Sequence, residues 1–251
     1  MKKLVLGAAA VAALLAPAVA SAETNAVVGI DYSHVDYDFA DGNTYGLNGA
    51  FNHDFANGWQ IQMDGATERL DIGGCCINQN YATAHYGVRT DQYSFAGFVG
   101  LQNFSIFSGI DAGVEGQMHF GSASVGGSIS FVDFGDIDVN ATNANLDGVY
   151  FFTPNLSVNA GAAYTTADLG MGSDDYWTWN LGGEYRFDGS PFSVALGYRQ
   201  SQFDGGDVSA WTIGLNLDLG TGSLQERRVH GPSWGGGRSL FDDVNAIPAF
   251  L

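Results

Sequence analysis

The chain has 251 residues, with 27 acidic side chains against nine lysines and arginines and a formal net charge of −18. That balance repels nucleic acid and anionic ligands and attracts cations, so a nucleic-acid partner is excluded. With 45% hydrophobic and 13% aromatic residues the chain is too apolar for an acidic disordered segment, and 36 glycines against five prolines suit tightly packed strands with tight turns.

The N-terminus reads as an export signal. Lys2 and Lys3 precede a short apolar run, Leu4 to Leu15, and Ala20-Ser21-Ala22 forms a small-residue cleavage site before Glu23. Residues 1–22 are therefore expected to be removed. The remainder of the chain contains no lysine, only seven arginines. No later run approaches the roughly twenty apolar residues that a spanning helix needs.

Beyond the leader, apolar and polar residues alternate with period two, the pattern of strands with one apolar and one polar face. A weak strand over 26–39 shifts its apolar parity after Tyr32, which predicts a bulge. Tyr45, Leu47, Gly49 and Phe51 alternate with Thr44, Asn48 and Asn52. After Ala56-Asn57-Gly58, Trp59, Ile61 and Met63 alternate with Gln60, Gln62 and Asp64, completing a hairpin. Ala82, Ala84, Tyr86 and Val88 oppose Thr83, His85 and Arg89, and Ile110, Val114 and Met118 oppose Asp111, Glu115 and His119. Weaker strands fill 93–102 and 122–133. Leu146, Tyr150 and Phe152 lead through Thr153-Pro154-Asn155 into Leu156, Val158 and Ala160. Trp177, Trp179 and Leu181 open a hairpin that turns at Asp188-Gly189-Ser190, and Trp211, Ile213, Leu215, Leu217 and Leu219 mark the last strand.

The sum is an all-β chain, an antiparallel transmembrane β-barrel of about 12 strands, within about 10–14, over residues 23–220. Short turns fall near 56–58, 90–92, 121, 153–155 and 188–190. Longer polar loops are expected near 69–79, 134–142, 166–175 and 202–207, with short ones at 40–43 and 103–104. Phe55, Trp59, Tyr93, Phe95, Phe120, Phe152, Phe187 and Phe192 flank the short turns as an interfacial girdle, which places both chain ends on the periplasmic side.

Parity turns Asp31, Asp64, Glu68, Asp111, Glu115, Asp147 and Glu184 into the lumen, with Arg89, Arg186 and Arg199. A lumen of this size either conducts or is filled by paired charges, and surplus carboxylates in an open one favour cations. Glu115 and Glu184 could equally be held by lumen arginines. The histidines, His34, His53, His85, His119 and His230, sit in no local motif with a nucleophile, so no enzyme activity is expected. Asp136, Asp138, Asn140 and Asp147 imitate calcium-loop spacing, but Ala141 replaces the needed glycine; no metal and no cofactor is expected. Adjacent Cys75 and Cys76 read as a loop pair, free or joined to each other.

Residues 221–251 lack strand periodicity and carry three of the seven arginines. They read as a periplasmic tail that is either a flexible extension or a partial plug whose arginines dock on the acidic lower mouth.

The segment Thr212-Ile213-Gly214-Leu215-Asn216-Leu217-Asp218-Leu219 resembles the assembly signal on the last strand of outer-membrane barrels, carried by Thr212, Gly214, Leu217 and Leu219. The chain up to Gly220 is similar in strand grammar to the gram-negative small porin and outer-membrane barrel group. The resemblance implies a location in the bacterial outer membrane among lipid and lipopolysaccharide, insertion by the barrel-assembly machinery, and passive passage of small solutes. Members that pass acidic oligosaccharides use arginine-rich lumens, which this chain lacks. A non-conducting structural or adhesion barrel is the alternative, and a rim-site hydrolase a third; no subunit interface can be assigned.

Overall fold

The computed structural model describes residues 24–37, 40–104, 107–135, 138–168 and 172–244. The leader expected over 1–22 lies outside them. Twelve strands run in chain order: β1 (Thr24–Tyr37), β2 (Ala40–Asp54), β3 (Trp59–Ile72), β4 (Cys75–Arg89), β5 (Tyr93–Phe104) and β6 (Phe107–Phe120). The second half comprises β7 (Ala123–Phe134), β8 (Val139–Thr153), β9 (Leu156–Asp168), β10 (Ser173–Arg186), β11 (Phe192–Phe203) and β12 (Gly206–Leu219). Each strand pairs antiparallel with its sequence neighbours, and β12 closes on β1 with Ile30 opposite Leu215, giving a closed barrel. Closure satisfies every strand edge, the condition for a sheet in lipid. Two helices come after β12, α1 (Leu224–His230) and α2 (Gly236–Val244).

The loops expected between the longer hairpins are largely strand. β3 and β4 meet through Gly73 and Gly74, both at positive φ (57° and 84°), with Ile72 opposite Cys75. This is a two-residue turn of the primed kind that matches strand twist. β11 and β12 likewise close across two residues, Phe203 opposite Gly206. The polar residues of these segments suggest loops, yet they lie on strands that continue past the membrane. A strand of β1's length, about 14 residues at ~3.4 Å each and tilted ~40°, rises roughly 35 Å, against an apolar band of ~25 Å.

The barrel accordingly has two zones. From the end bearing the turns at Gly58, Gly121 and Gly189 (the turn end) to beyond mid-height, the outside is apolar: Ile30, Val99, Ile110, Val114, Ile129, Leu146 and Leu196 are all exposed. The inside there is polar, with Gln62, Asp64, His85, Asp111 and Ser128 buried. All eight aromatics expected in the girdle are exposed at the turn end. A second aromatic band, Tyr164–Trp177 and Trp179–Tyr198–Trp211, lies higher on the outer wall.

At the far end the pattern reverses. His34, Asp36, Asp41, Arg69 and Asp133 face solvent, while Val35, Tyr37, Leu70, Phe104, Val132, Phe134 and Val139 are buried inside. This collar has the inside-apolar pattern of a soluble barrel, and two apolar clusters fill it. The reversal explains the parity shift after Tyr32. No bulge is present in β1, whose register with β2 and β12 runs unbroken; Val35 and Tyr37 are apolar because the interior is apolar at that height. The register shift that does occur lies in β8, between Phe151 and Thr153.

Cys76 is an exposed free thiol that accepts a hydrogen bond from Arg69 Nη2 (2.8 Å).

Candidate functional site: a lumen occupied by the C-terminal segment

Residues 221–244 lie inside the barrel rather than below it. At Gly220 (φ 108°) the chain leaves β12 and turns into the mouth, where a Cβ would collide with Asn25 Oδ1 and lie 2.9 Å from Thr24 O. Ser223 then caps α1, its hydroxyl accepting from Glu226 N (3.1 Å), while Glu226 Oε2 accepts from Gly222 N (2.6 Å). This reciprocal pairing satisfies donors that a helix start leaves free.

The arginines of α1 then meet the wall. Arg227 pairs with Glu184 through Nη2 and with Asp218 Oδ1 at 2.9 Å; Arg228 Nη2 reaches Asp147 Oδ2 at 2.6 Å. Past α1 the backbone hydrogen-bonds to barrel side chains. Asn25 and Asn52 donate to His230 O (3.2 and 3.0 Å), and Arg89 Nη1 donates to Gly231 O (2.6 Å). Gln62 takes both polar groups of Trp234, accepting from its N–H (3.1 Å) and donating to its carbonyl (2.6 Å). The Trp234 indole donates to Ser94 Oγ (3.1 Å), and the Arg89 guanidinium lies 5.2 Å from its ring. Buried backbone groups need such partners, and the wall supplies them residue by residue.

Deeper in the lumen His85 stands between two carboxylates, with Nε2 2.6 Å from Asp64 Oδ1 and Nδ1 on Glu115. The other Glu115 oxygen accepts the N–H groups of Gly235 (3.1 Å) and Gly236 (3.0 Å) at the start of α2. Arg238 then bridges Glu68 (2.9 Å) and Asp242 (2.9 Å). At the collar Leu240 and Phe241 are fully buried, Phe241 against Tyr81 and Phe104 at ring distances of 4.9 and 5.6 Å. Asp243 accepts from Asn143 (2.7 Å), and its carbonyl accepts from the Tyr176 hydroxyl (2.7 Å). The segment is polar where the lumen is polar and apolar where the collar is apolar.

Six of the ten charged residues turned inward by parity touch this segment: Glu68, Glu115, Asp147, Glu184, Arg89 and Arg199, the last at 3.9 Å from Asp242. The other four have partners on the wall. Asp31 accepts from Asn48 (2.6 Å), Asp64 from Gln62 (3.0 Å) and Asp111 from Gln102 (2.8 Å), while Arg186 donates to Ser190 O (2.9 Å). Glu184 and Glu115 therefore find their charged partners in Arg227 of the C-terminal segment and in His85, not in strand arginines. Periodicity gives no sign of Trp234, Leu240 and Phe241; a lone tryptophan and a Leu-Phe pair in a largely polar segment are the available signal. Of the calcium-like spacing, Asp136 lies outside the described residues and Asp147 is taken by Arg228. Among the described residues no group of three or more His, Cys, Asp or Glu side chains is arranged to hold a metal ion.

α2 packs on β4 to β8 and leaves space on the other side. A cavity of about 450 Å³ runs past Asp31, Asn48, Asn180 and Asn216 to Val35 and Val208 at the collar. A second, of about 390 Å³, descends past Asn145, Asp147 and Ser157 to Leu224 and Arg227. The two share Asn145, Asn159, Asn180, Glu184, Arg238 and Ser239 as lining, so they adjoin at mid-lumen.

No family model matches the chain, and no curated protein matches it. Solved structures do. The KdgM porin superposes with a TM-score of 0.54 at 16% identity, covering 76% of this chain and 99% of that one. An outer-membrane channel from Pseudomonas putida F1 gives 0.57 at 12% identity over 80% and 97% of the two chains, and the NanC porin 0.55 at 10% over 76% and 100%. The chain has the fold of the bacterial outer-membrane barrels, and its apolar belt is a surface made for lipid.

Proposed function

We propose that the protein is an outer-membrane channel for passive diffusion of small solutes, with a weak preference for cations. The observation that carries this is the space beside the C-terminal segment, two adjoining cavities that reach the collar on one side and the turn end on the other. Its lining holds the carboxyl groups of Asp31, Glu68, Glu115, Asp147, Glu184, Asp242 and Asp243 against the guanidinium groups of Arg199, Arg227, Arg228 and Arg238. A surplus of carboxylates lowers the barrier for positive charge. The fold shared with porins supports the reading, as does the leader expected over residues 1–22 from the sequence. One neighbour is a KdgM porin in complex with disordered oligogalacturonate. This acid-rich passage suits an anionic chain of that kind poorly, and small neutral or cationic solutes better. Thr212, Gly214, Leu217 and Leu219 sit on the strand that closes the barrel, where the assembly machinery would engage it, and the belt would be solvated by lipid and lipopolysaccharide.

A second reading, a non-conducting barrel that stabilises the membrane or presents its far end for adhesion, is favoured by the filled collar. Planar-bilayer recording under a salt gradient separates the two. Reproducible steps with a reversal potential of cation-selective sign support the channel. Silence from protein that shows the heat-dependent gel shift of a folded barrel leaves the structural reading in its place.

A further inference from the structure

The two sides of the lumen differ in the size of their side chains. Where α2 and the Trp234 stretch before it pack, the wall presents large groups such as Gln62, Tyr81, His85 and Phe98. Across the lumen, over β8 to β12 and on to β1 and β2, it presents asparagines interleaved with glycine and alanine. The asparagines have a common orientation where their partners are resolved. Asn48 Nδ2 donates to Asp31 (2.6 Å) and Asn216 Nδ2 donates to Glu184 (3.0 Å), so one N–H of each amide is held by a carboxylate. Their carbonyl oxygens converge over Gly29 from the two flanking strands. A Cβ there would collide with Asn216 Oδ1 and lie 2.8 Å from Asn48 Oδ1. Gly197, on the same wall, faces open space, with nothing within 4 Å of where its Cβ would stand.

We infer that hydrated monovalent cations cross the barrel beside the docked C-terminal segment, along this amide-lined wall, while the segment stays in place. The inference rests on the channel reading and adds the path. Amide oxygens held in this way replace part of a cation's hydration without binding it tightly, as a conduction site requires. The segment, with α2 on the opposite wall and the α1 arginines tied to Asp147, Glu184 and Asp218 near the turn end, is then a permanent filler that sets the bore. Its many wall contacts, including the paired Arg227, Arg228 and Arg238, would all have to break for it to withdraw.

Two alterations test the path in planar bilayers, each in protein whose gel shift shows a folded barrel. Gly197→Trp puts an indole into the open space and is expected to lower single-channel conductance by about fivefold or more, whereas Gly205→Trp, at the β11–β12 turn, leaves it unchanged. Thr83→Cys with Gly237→Cys, in a Cys75→Ser/Cys76→Ser background, locks the segment to β4. A Cβ on Gly237 lies 3.0 Å from Thr83 Cβ, within a small shift of the usual ~3.5–4.5 Å disulfide spacing. The locked channel is expected to conduct within about twofold of its reduced form, because nothing on the path moves. Should Gly197→Trp fail to fold, Gly197→Cys in the same background, treated after folding with a cationic thiol reagent, gives the same block. The inference is overturned if filling position 197 leaves conductance intact, or if the locked protein is silent and reduction restores current, which would mean that solutes use space the segment vacates. A wild-type barrel that never conducts removes the channel reading itself, and the path with it.

Discussion

The belt and the collar are made from the same twelve strands with the same pleat, yet they obey opposite rules. In the belt Leu146 faces out, at 62% exposure, and Asp147 faces in. Five to seven residues earlier on the same strand Ala141 is buried in the collar core and Asn140 faces the other way. What changes between them is the solvent outside. Lipid rewards apolar surface and leaves the interior to polar groups, while water above the membrane restores the ordinary burial of apolar side chains. A strand in a barrel of this kind therefore does not have one apolar face; it has one at each height.

Substitutions can sharpen that contrast or break it. The largest effect is expected in the collar core: Phe134→Ala, fully buried among Phe104, Val139 and Phe241, should destabilise the fold by about 3–5 kcal/mol in reversible denaturant titration in detergent. Next comes a paired test on β8. Leu146→Arg in the belt should cost about 2–4 kcal/mol, whereas Thr142→Arg on the collar's outer face should cost under ~0.5 kcal/mol. Equal costs at the two positions would abolish the distinction between zones. Smaller again, Ser223→Ala removes the cap of α1 and should weaken docking of the polar half of the segment by about 1 kcal/mol, read as faster amide exchange over residues 224–230.

The smallest expected effect is a pH dependence. Burial pushes the Asp243 carboxyl up to about 6, against the opposing pull of Arg199 and the hydrogen bond from Asn143. A carboxyl raised above its ordinary value binds its proton more tightly when docked. Its contribution is thus fully present below pH ~4 and is lost as pH rises through about 6. Protection factors over residues 238–244, the intrinsic exchange rate at each pH divided by the observed one, should rise on going from pH 7 to pH 5, and Asp243→Asn should remove that rise. Wild-type protection that is flat across this interval would show that Asp243 is not held in the buried setting described.

How much of this is legible in the sequence depends on the same contrast. Hairpins such as Trp59, Ile61 and Met63 against Gln60, Gln62 and Asp64 can be read because belt parity is local, needing only two neighbours on one strand. The collar cannot. Its inverted parity imitates a bulge in β1 and polar loops at 69–79 and 202–207, because alternation can be interpreted only once the solvent at each height is known. Ten inward charges come from parity, but their partners do not. His85 meets Asp64 and Glu115 only through the register of β3, β4, β5 and β6, which no local window contains. The C-terminal arginines hint at docking on the acidic mouth. The deep course of the segment depends on two helices of seven and nine residues, too short for periodicity to announce, and on Trp234 and the Leu240-Phe241 pair.

The collar's outer face carries a consequence for how the barrel is retained. Asp36, Asp41, Arg69 and Asp133 are held outside the belt on rigid strands, so they cannot fold inward to hide. Sliding the barrel back through the bilayer would drag every one of them across hydrocarbon, at up to a few kcal/mol for each charge near the midplane. The same toll applies on the way in. Once through, the barrel sits like a rivet whose head has been formed on one side only, held by the height of the barrier to leaving as well as by the depth of the well it occupies.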